Sequence, residues 1–290
     1  MAGQDKAVTG SKSVMQGHDW AGDMGQKWNR YLQQFESMIA PIGDATIQLA
    51  ALHAGERVLD IGSGGGHTTL QIAAMVGERG EAVGLDIAPV LVESAKKRAR
   101  EAAVAQAHFA CVDAATTTLS RANFDVLFSR FGVMFFNDPA AAFRNLRRML
   151  ATPARLAFCC WAAPGDNPWV SRQSEIIARH VTMPAPDPTA PGPFAFADQA
   201  RTRAILEQAG FSDVQFTPWR GLQLIGGPGQ TAETAADFAM KAFFVGDAVA
   251  NQSENVRQAV HQDVVALFRE HQTPQGVAMG AAAWLVSARC

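Results

Sequence analysis

Apolar positions follow two rhythms along this chain. Between Asp19 and Leu52 they recur at steps of three and four, at Trp20, Trp28, Tyr31, Phe35, Met38 and Ile39. That spacing predicts helix. Pro41 and Gly43 interrupt the pattern, and Asp44 is placed to cap a second helix running to about Leu52. From Arg57 onward the rhythm changes. Short apolar runs over 57–61, 82–86, 107–112, 124–129 and 155–161 read as buried strands. Helical stretches over 68–76, 89–103 and 139–150 lie between them, with Pro89 suited to a first helical turn. Strands alternating with helices predict βαβ units and a parallel sheet.

Beyond Trp161 the composition shifts. Residues 183–193 carry five prolines in eleven positions and predict an extended loop. A helix over 198–209 closed by Gly210 follows, then a strand over 213–216 with a continuation at 222–225. Amphipathic helices are predicted over 231–245 and 253–271. The polar stretch 1–17 reads as a disordered tail, and the sequence holds no internal repeat.

Composition narrows the class. Across 290 residues, 48% are hydrophobic and 18% charged, enough apolar surface for a substantial core. With 25 Lys and Arg against 27 Asp and Glu, the balance argues against a dedicated nucleic-acid binder. The N-terminus lacks the apolar stretch of a secretory signal, and no run reaches the ~18 apolar residues of a spanning helix. Cys111, Cys159, Cys160 and Cys290 are spaced for neither a disulfide framework nor zinc, and no His-x-x-x-His or Glu-x-x-His pair lies near a strand end. The expectation is a cytoplasmic protein with no metal site and no membrane span.

The informative constellation is Asp60-Ile61-Gly62-Ser63-Gly64-Gly65-Gly66, between a predicted strand and a predicted helix. Glycines there let the chain turn tightly and let a ligand approach the backbone, while the helix presents free N–H groups. A dinucleotide fingerprint requires a third glycine where His67 stands, and no Gly-Lys-Ser/Thr follows for a P-loop. A pyrophosphate or triphosphate ligand is disfavoured. Asp86 ends the second strand, where an acid accepts from ribose hydroxyls in nucleotide-binding folds. Asp113, after the third strand, is placed to accept from an exocyclic amine. Each acid alone also reads as a helix N-cap. Together with the glycine turn they gather where open α/β sheets bind ligands.

The segments VLDIGSGGG, VGLDIAP, VDA and FDVLFSRFGVMFF resemble class I S-adenosylmethionine-dependent methyltransferases, and more closely the ubiquinone/menaquinone-biosynthesis (UbiE-like) type. The resemblance is strong over about residues 50–165 and weak in the flanks. It implies a doubly wound, mostly parallel, seven-stranded Rossmann-like sheet with a last antiparallel strand near 281–289. It implies a tail and lid helix over 1–45, a cofactor-binding core over 46–163, and a remainder over 164–290 with cap insertions near 164–197 and 226–275. Gly62, Gly64 and Gly66 match the glycines under the methionine moiety, with Asp60 and Ser63 beside them. Asp86 matches the ribose-binding acid and Ile87 the apolar residue against adenine. Asp113 and Ala114 match the pair at the adenine edge, and Ser129 the end of strand four. His67 and Thr68 are candidates for the cofactor carboxylate, although His67 also reads as an ordinary first-turn histidine. Where some relatives that methylate amino nitrogens carry Asn/Asp-Pro-Pro-aromatic, this chain has Ser129-Arg130-Phe131-Gly132. DNA amino methylation by that mechanism is disfavoured.

The reaction so implied is a metal-independent, in-line transfer of a methyl group to a small, apolar or aromatic acceptor. Protein or RNA methylation, or cofactor binding without transfer, are the alternatives. Arg130 and His18 are the candidate catalytic groups. Phe131, Met134, Phe135, Phe136, Trp169, Phe194, Phe196, Phe238, Phe243 and Phe244 are candidates for the acceptor pocket, and each also reads as core.

Overall fold

A computed structural model describes residues 20–119, 122–183, 185 and 187–290. The tail and His18 lie outside the described residues. Two helices, α1 (Asp23–Arg30) and α2 (Leu32–Ala50), precede the sheet. The α/β run follows as β1 (Arg57–Ile61), α3 (His67–Val76), β2 (Glu81–Asp86), α4 (Pro89–Glu101), β3 (Ala107–Cys111), β4 (Phe124–Arg130), α5 (Pro139–Arg147) and β5 (Leu150–Trp161). The chain continues through α6 (Pro168–His180), α7 (Gln199–Gln208), β6 (Ser212–Leu224), α8 (Ala232–Ala242), α9 (Phe244–Val249) and α10 (Glu254–Glu270) to β7 (Gln272–Thr273) and β8 (Gly276–Arg289).

The sheet order is β3-β2-β1-β4-β5-β8-β6, with β7 paired to β8 off this path. β1 to β5 pair in parallel, and β8 runs antiparallel between β5 and β6. This is the doubly wound sheet with an antiparallel strand that the resemblance implies. From β1 the chain builds outward to β3, then returns to place β4 on β1's other side. The edge between β1 and β4 is therefore the topological switch point, where such sheets open a crevice. The central strands are dry on both faces: Val58, Leu59, Val126, Leu127 and Phe128 have no exposure. Continuous apolar runs suit that environment.

Several elements differ from the sequence expectation, among them the first predicted helix, which breaks at Tyr31 between α1 and α2. α2 runs unbroken through Pro41, with Met38, Ile39, Ile42, Thr46 and Ile47 buried along one face. That burial outweighs the local cost of a proline within the helix. Asp44 caps nothing there and instead accepts from Gln71 Nε2 at 3.1 Å. β6 is one strand rather than two pieces and contains Pro218, which an edge strand tolerates. The expected 231–245 helix breaks at Phe243, whose extended backbone separates α8 from α9. The break turns the Phe243 ring toward Phe238, Trp169 and Phe35, at centroid distances of 5.2, 5.5 and 6.1 Å.

Phe143 of α5 anchors the far side of the sheet. It is fully buried against the rings of Phe136, Phe158, Phe196 and Phe211, all 6.0–6.2 Å away. Phe143→Ala should cost about 3–5 kcal/mol of unfolding free energy, read from a denaturant midpoint.

Candidate functional site

The turn after β1 is forced by sterics. Gly62, Gly64 and Gly66 have φ of +67°, +55° and +83°. A Cβ on Gly62 would lie 2.6 Å from the Gly132 Cα, and one on Gly132 would lie 2.5 Å from the Ile61 carbonyl oxygen. The turns after β1 and β4 thus pack backbone on backbone. Ser129 stitches them: its hydroxyl donates to the Ile61 carbonyl at 2.8 Å and accepts from the Gly132 N–H at 3.1 Å. A Cβ on Gly66 would meet Ala95 and Phe109 at 2.8 Å, whereas one on Gly64 would meet nothing within 4 Å. Gly64 therefore faces open space.

That space is a cavity of about 510 Å³. At one end it is lined by Gly62 to Gly65, Asp86, Ile87, Asp113 and Ala114. Asp86 is buried, its Oδ2 accepting from the Gly64 N–H at 2.8 Å and its Oδ1 from the Ala88 N–H at 2.9 Å. It fastens the glycine turn to the end of β2. Burial pushes its pKa up, against those two bonds. Asp113 is exposed and accepts from the Ala115 N–H at 2.9 Å. Ser63 lines the cavity with its buried hydroxyl unpartnered.

Asp60 stands behind the turn rather than in the cavity lining. It has no exposure, and its Oδ2 accepts from the hydroxyls of Thr68 and Thr69 at 2.8 and 2.7 Å. Its Oδ1 has no partner. Burial holds the carboxyl up at about pH 6 in spite of the two hydroxyls. Thr68 thus faces Asp60, and Ser129 braces the two turns; neither lines the cavity. His67 lies outside the lining too, its pKa lowered by burial and then by Arg130.

Arg130 does line the cavity. Gly43 makes room for it, since a Cβ there would sit 2.8 Å from the Arg130 Cδ. Its Nη1 lies 3.4 Å from His67 Nδ1. Phe131 follows with φ +61°, a left-handed turn that lays its ring on Trp161 at 4.3 Å. Trp161, Trp169 and Phe243 continue this aromatic wall. Of the expected apolar lining, Phe131, Met134, Phe135, Phe136, Trp169, Phe243 and Phe244 border the cavity, whereas Phe196 and Phe238 are buried in the core and Phe194 is partly buried against it.

Sequence reasoning missed several lining groups. Glu36 on α2 is nearly buried and accepts from Arg98 Nη1, 2.8 Å from each carboxylate oxygen. The same Arg98 nitrogen donates to the Gly65 carbonyl at 3.1 Å, tying α2 to the glycine turn. Lys27 of α1 bonds Asp247 of α9 at 2.6 Å, joining two helices that border the cavity. Gln223, on β6, is also in the lining. The signal was absent because these partners are distant in sequence. Among the described residues, no group of three or more His, Cys, Asp or Glu side chains is arranged to hold a metal ion. No helix among them is long and apolar enough to cross a membrane.

The Gly62–Gly132 contact is testable. Gly62→Ala places a Cβ into backbone that cannot give way, in a left-handed conformation. A loss of about 2–4 kcal/mol in stability is expected from strain and overpacking, read by thermal or denaturant unfolding.

The methyltransferase-domain family matches this chain over residues 52–216. The chain is 33% identical over 118 residues to the aklanonic acid methyltransferase DauC of Streptomyces sp. (strain C5), covering 41% of this chain and 54% of that protein. It is 32% identical over 122 residues to the ubiquinone/menaquinone biosynthesis C-methyltransferase UbiE of Azotobacter vinelandii, covering 42% of this chain and 48% of that one. The matched region thus spans about half the length of these relatives. The crystal structure of the YcgJ protein of Bacillus subtilis superposes with a TM-score of 0.55 at 20% identity, covering 85% of this chain and 97% of that one. That likeness is one of fold. Because the family match takes in more than half of its residues, the chain belongs to the methyltransferase-domain family, within the S-adenosylmethionine-dependent class that its motifs resemble.

Proposed function

We propose that this chain moves a methyl group from S-adenosylmethionine to a small, flat, largely apolar acceptor, without a metal ion. The observation that carries the reading is a single cavity bordered by the glycine turn and strand-end acids at one end and by Trp161, Trp169 and Phe243 at the other. The residues present fit the cofactor. Gly64 leaves open space above the turn, and the Ser63 hydroxyl in the lining is a buried polar group without a protein partner. When bound, S-adenosylmethionine supplies an electrophilic methyl group on a sulfonium sulfur.

The chain's own residues supply position and environment. Asp86 spends one lone pair of each oxygen on Gly64 and Ala88 and keeps another for the ribose hydroxyls. Ile87 and Ala114 flank the base, and Asp113 accepts from its exocyclic amine. Asp60, oriented by Thr68 and Thr69, balances the ammonium group, and Arg130 pairs the carboxylate. The aromatic wall excludes water and holds the acceptor in line. No His, Cys or Tyr lines the cavity among the described residues. Of its other carboxylates, Glu36 is paired with Arg98, Asp247 with Lys27, and Asp138 caps α5 through the Ala141 N–H. The proposal therefore assigns no protein base, and the accepting atom is one that ionises readily by itself.

Two measurements check this reading. Calorimetric titration should show S-adenosylmethionine and S-adenosylhomocysteine binding and NADH not; transfer should survive EDTA dialysis, and rescue of lost activity by a divalent ion would contradict metal independence. The second concerns pH. Asp60 titrates near 6 in the folded chain, above the ordinary carboxyl value. Its proton favours the folded state, so relative to Asp60→Asn the free protein should lose stability as pH rises through about 4 to 6. Cofactor binding needs the ionised form. Affinity should rise with pH up to about 6, by at most about tenfold per unit, and be flatter in Asp60→Asn.

A further inference from the structure

Gln223 stands out among the buried polar groups. It is 2% exposed, lines the cavity, and has neither its Nε2 nor its Oε1 hydrogen-bonded. Among the described residues it is the one side-chain amide with both its donor and its acceptor left in this state. Buried polar groups are nearly always paired, and exceptions call for a ligand or a function.

Its position shows why the protein offers no partner. Gln223 lies one residue before the end of β6. β6 and β5 both run antiparallel to β8, so this end of β6 emerges at the same sheet edge as the C-terminal ends of β4 and β5. Its register partner is Met279. Three residues on, the Gly226 N–H is directed at Met38 Sδ, 3.3 Å away. Trp161, Trp169 and Phe243 line the same cavity. A second unpaired donor, the buried Trp20 Nε1, also borders the cavity. A buried amide that lines a cavity with both its functions free fits a recognition element rather than packing.

We propose that Gln223 reads the acceptor, pairing with a flat edge that carries a carbonyl oxygen beside an N–H or O–H on an aromatic body. This rests on the methyltransferase reading, in which the cofactor takes the glycine-turn end and leaves the aromatic end to the acceptor. The Nε2 donates to the acceptor's carbonyl, and the Oε1 accepts from its N–H or O–H. A carboxylate satisfies the Nε2 and leaves Oε1 facing negative charge. A hydrocarbon satisfies neither. Since the glutamine is neutral, the edge it reads is neutral, and the ionising atom that takes the methyl group is a different one.

The test uses the full chain saturated with S-adenosylhomocysteine and three probes: 2-naphthamide, 2-naphthoate and 2-methylnaphthalene. Binding is followed by quenching of tryptophan fluorescence. The readout is each probe's affinity ratio between the native protein and Gln223→Leu, with Gln223→Met as a second variant should leucine impair folding. The amide should lose about tenfold or more on substitution, while the other two change by less than about threefold. S-adenosylhomocysteine affinity should be unchanged in the variants. An equal change for all three probes, no loss for the amide, or no amide binding to the loaded native protein would overturn the inference and leave the cofactor reading intact. Failure of the native protein to bind S-adenosylhomocysteine would sink both.

Discussion

Two loops that touch through bare backbone hold this site together. Gly62 and Gly132 approach so closely that neither position admits a side chain, and the Ser129 hydroxyl bonds across both turns. The contact sits at the switch point of the sheet, where β1 and β4 diverge toward opposite edges. Because β1 and β4 are pinned there, the segment after β4 turns sharply at Phe131. Arg130, at the end of β4, and Phe131, at the turn, both line the cavity the glycines open. The Asp86 bond to the Gly64 N–H then fixes the same turn to β2.

Around this frame the remaining elements close a room. α2 brings Glu36, held by Arg98, and the same arginine grips the Gly65 carbonyl. α1 adds Trp28, stacked on Phe35 at 4.0 Å. The break at Phe243 supplies a ring that a continuous helix would have kept on its own surface. Lys27 and Asp247 meet between α1 and α9. They are partly exposed, so the pair contributes under about 1 kcal/mol and chiefly sets how the two helices meet. The outcome is one enclosure with a polar end shaped by backbone and an apolar end shaped by rings. Such a division suits a reaction in which the protein positions both reactants and keeps water out.

Most of the sheet was legible from local pattern. A dry strand such as Arg57–Ile61 is built as a short apolar run, and the tight turn after β1 takes glycine at its positive-φ positions, so both leave marks on neighbouring residues. Other features depend on distant partners and left none. Pro41 predicts a break that burial of Ile42 and its neighbours overrides. Pro218 sits within a strand because β6 is an edge. The helix Pro168–His180 was not delineated, although Trp169, Val170, Gln173, Ile176 and Ile177 bury one face of it. In the candidate site, family likeness placed Thr68 and Ser129 beside the ligand. In the structure their hydroxyls are turned to Asp60 and to the Ile61 carbonyl, and they act through those groups. Gln223 carries no motif, and its interest lies wholly in what surrounds it.

The central claim is that one continuous cavity seats the cofactor and the acceptor end to end. A crystal structure with S-adenosylhomocysteine tests it most directly. Adenosine should lie between Asp86 and Asp113, with the amino-acid tail over Gly62 to Gly64 and the sulfur facing Trp161 and Phe131. A product bound elsewhere, or a sulfur turned away from the aromatic wall, would contradict the account.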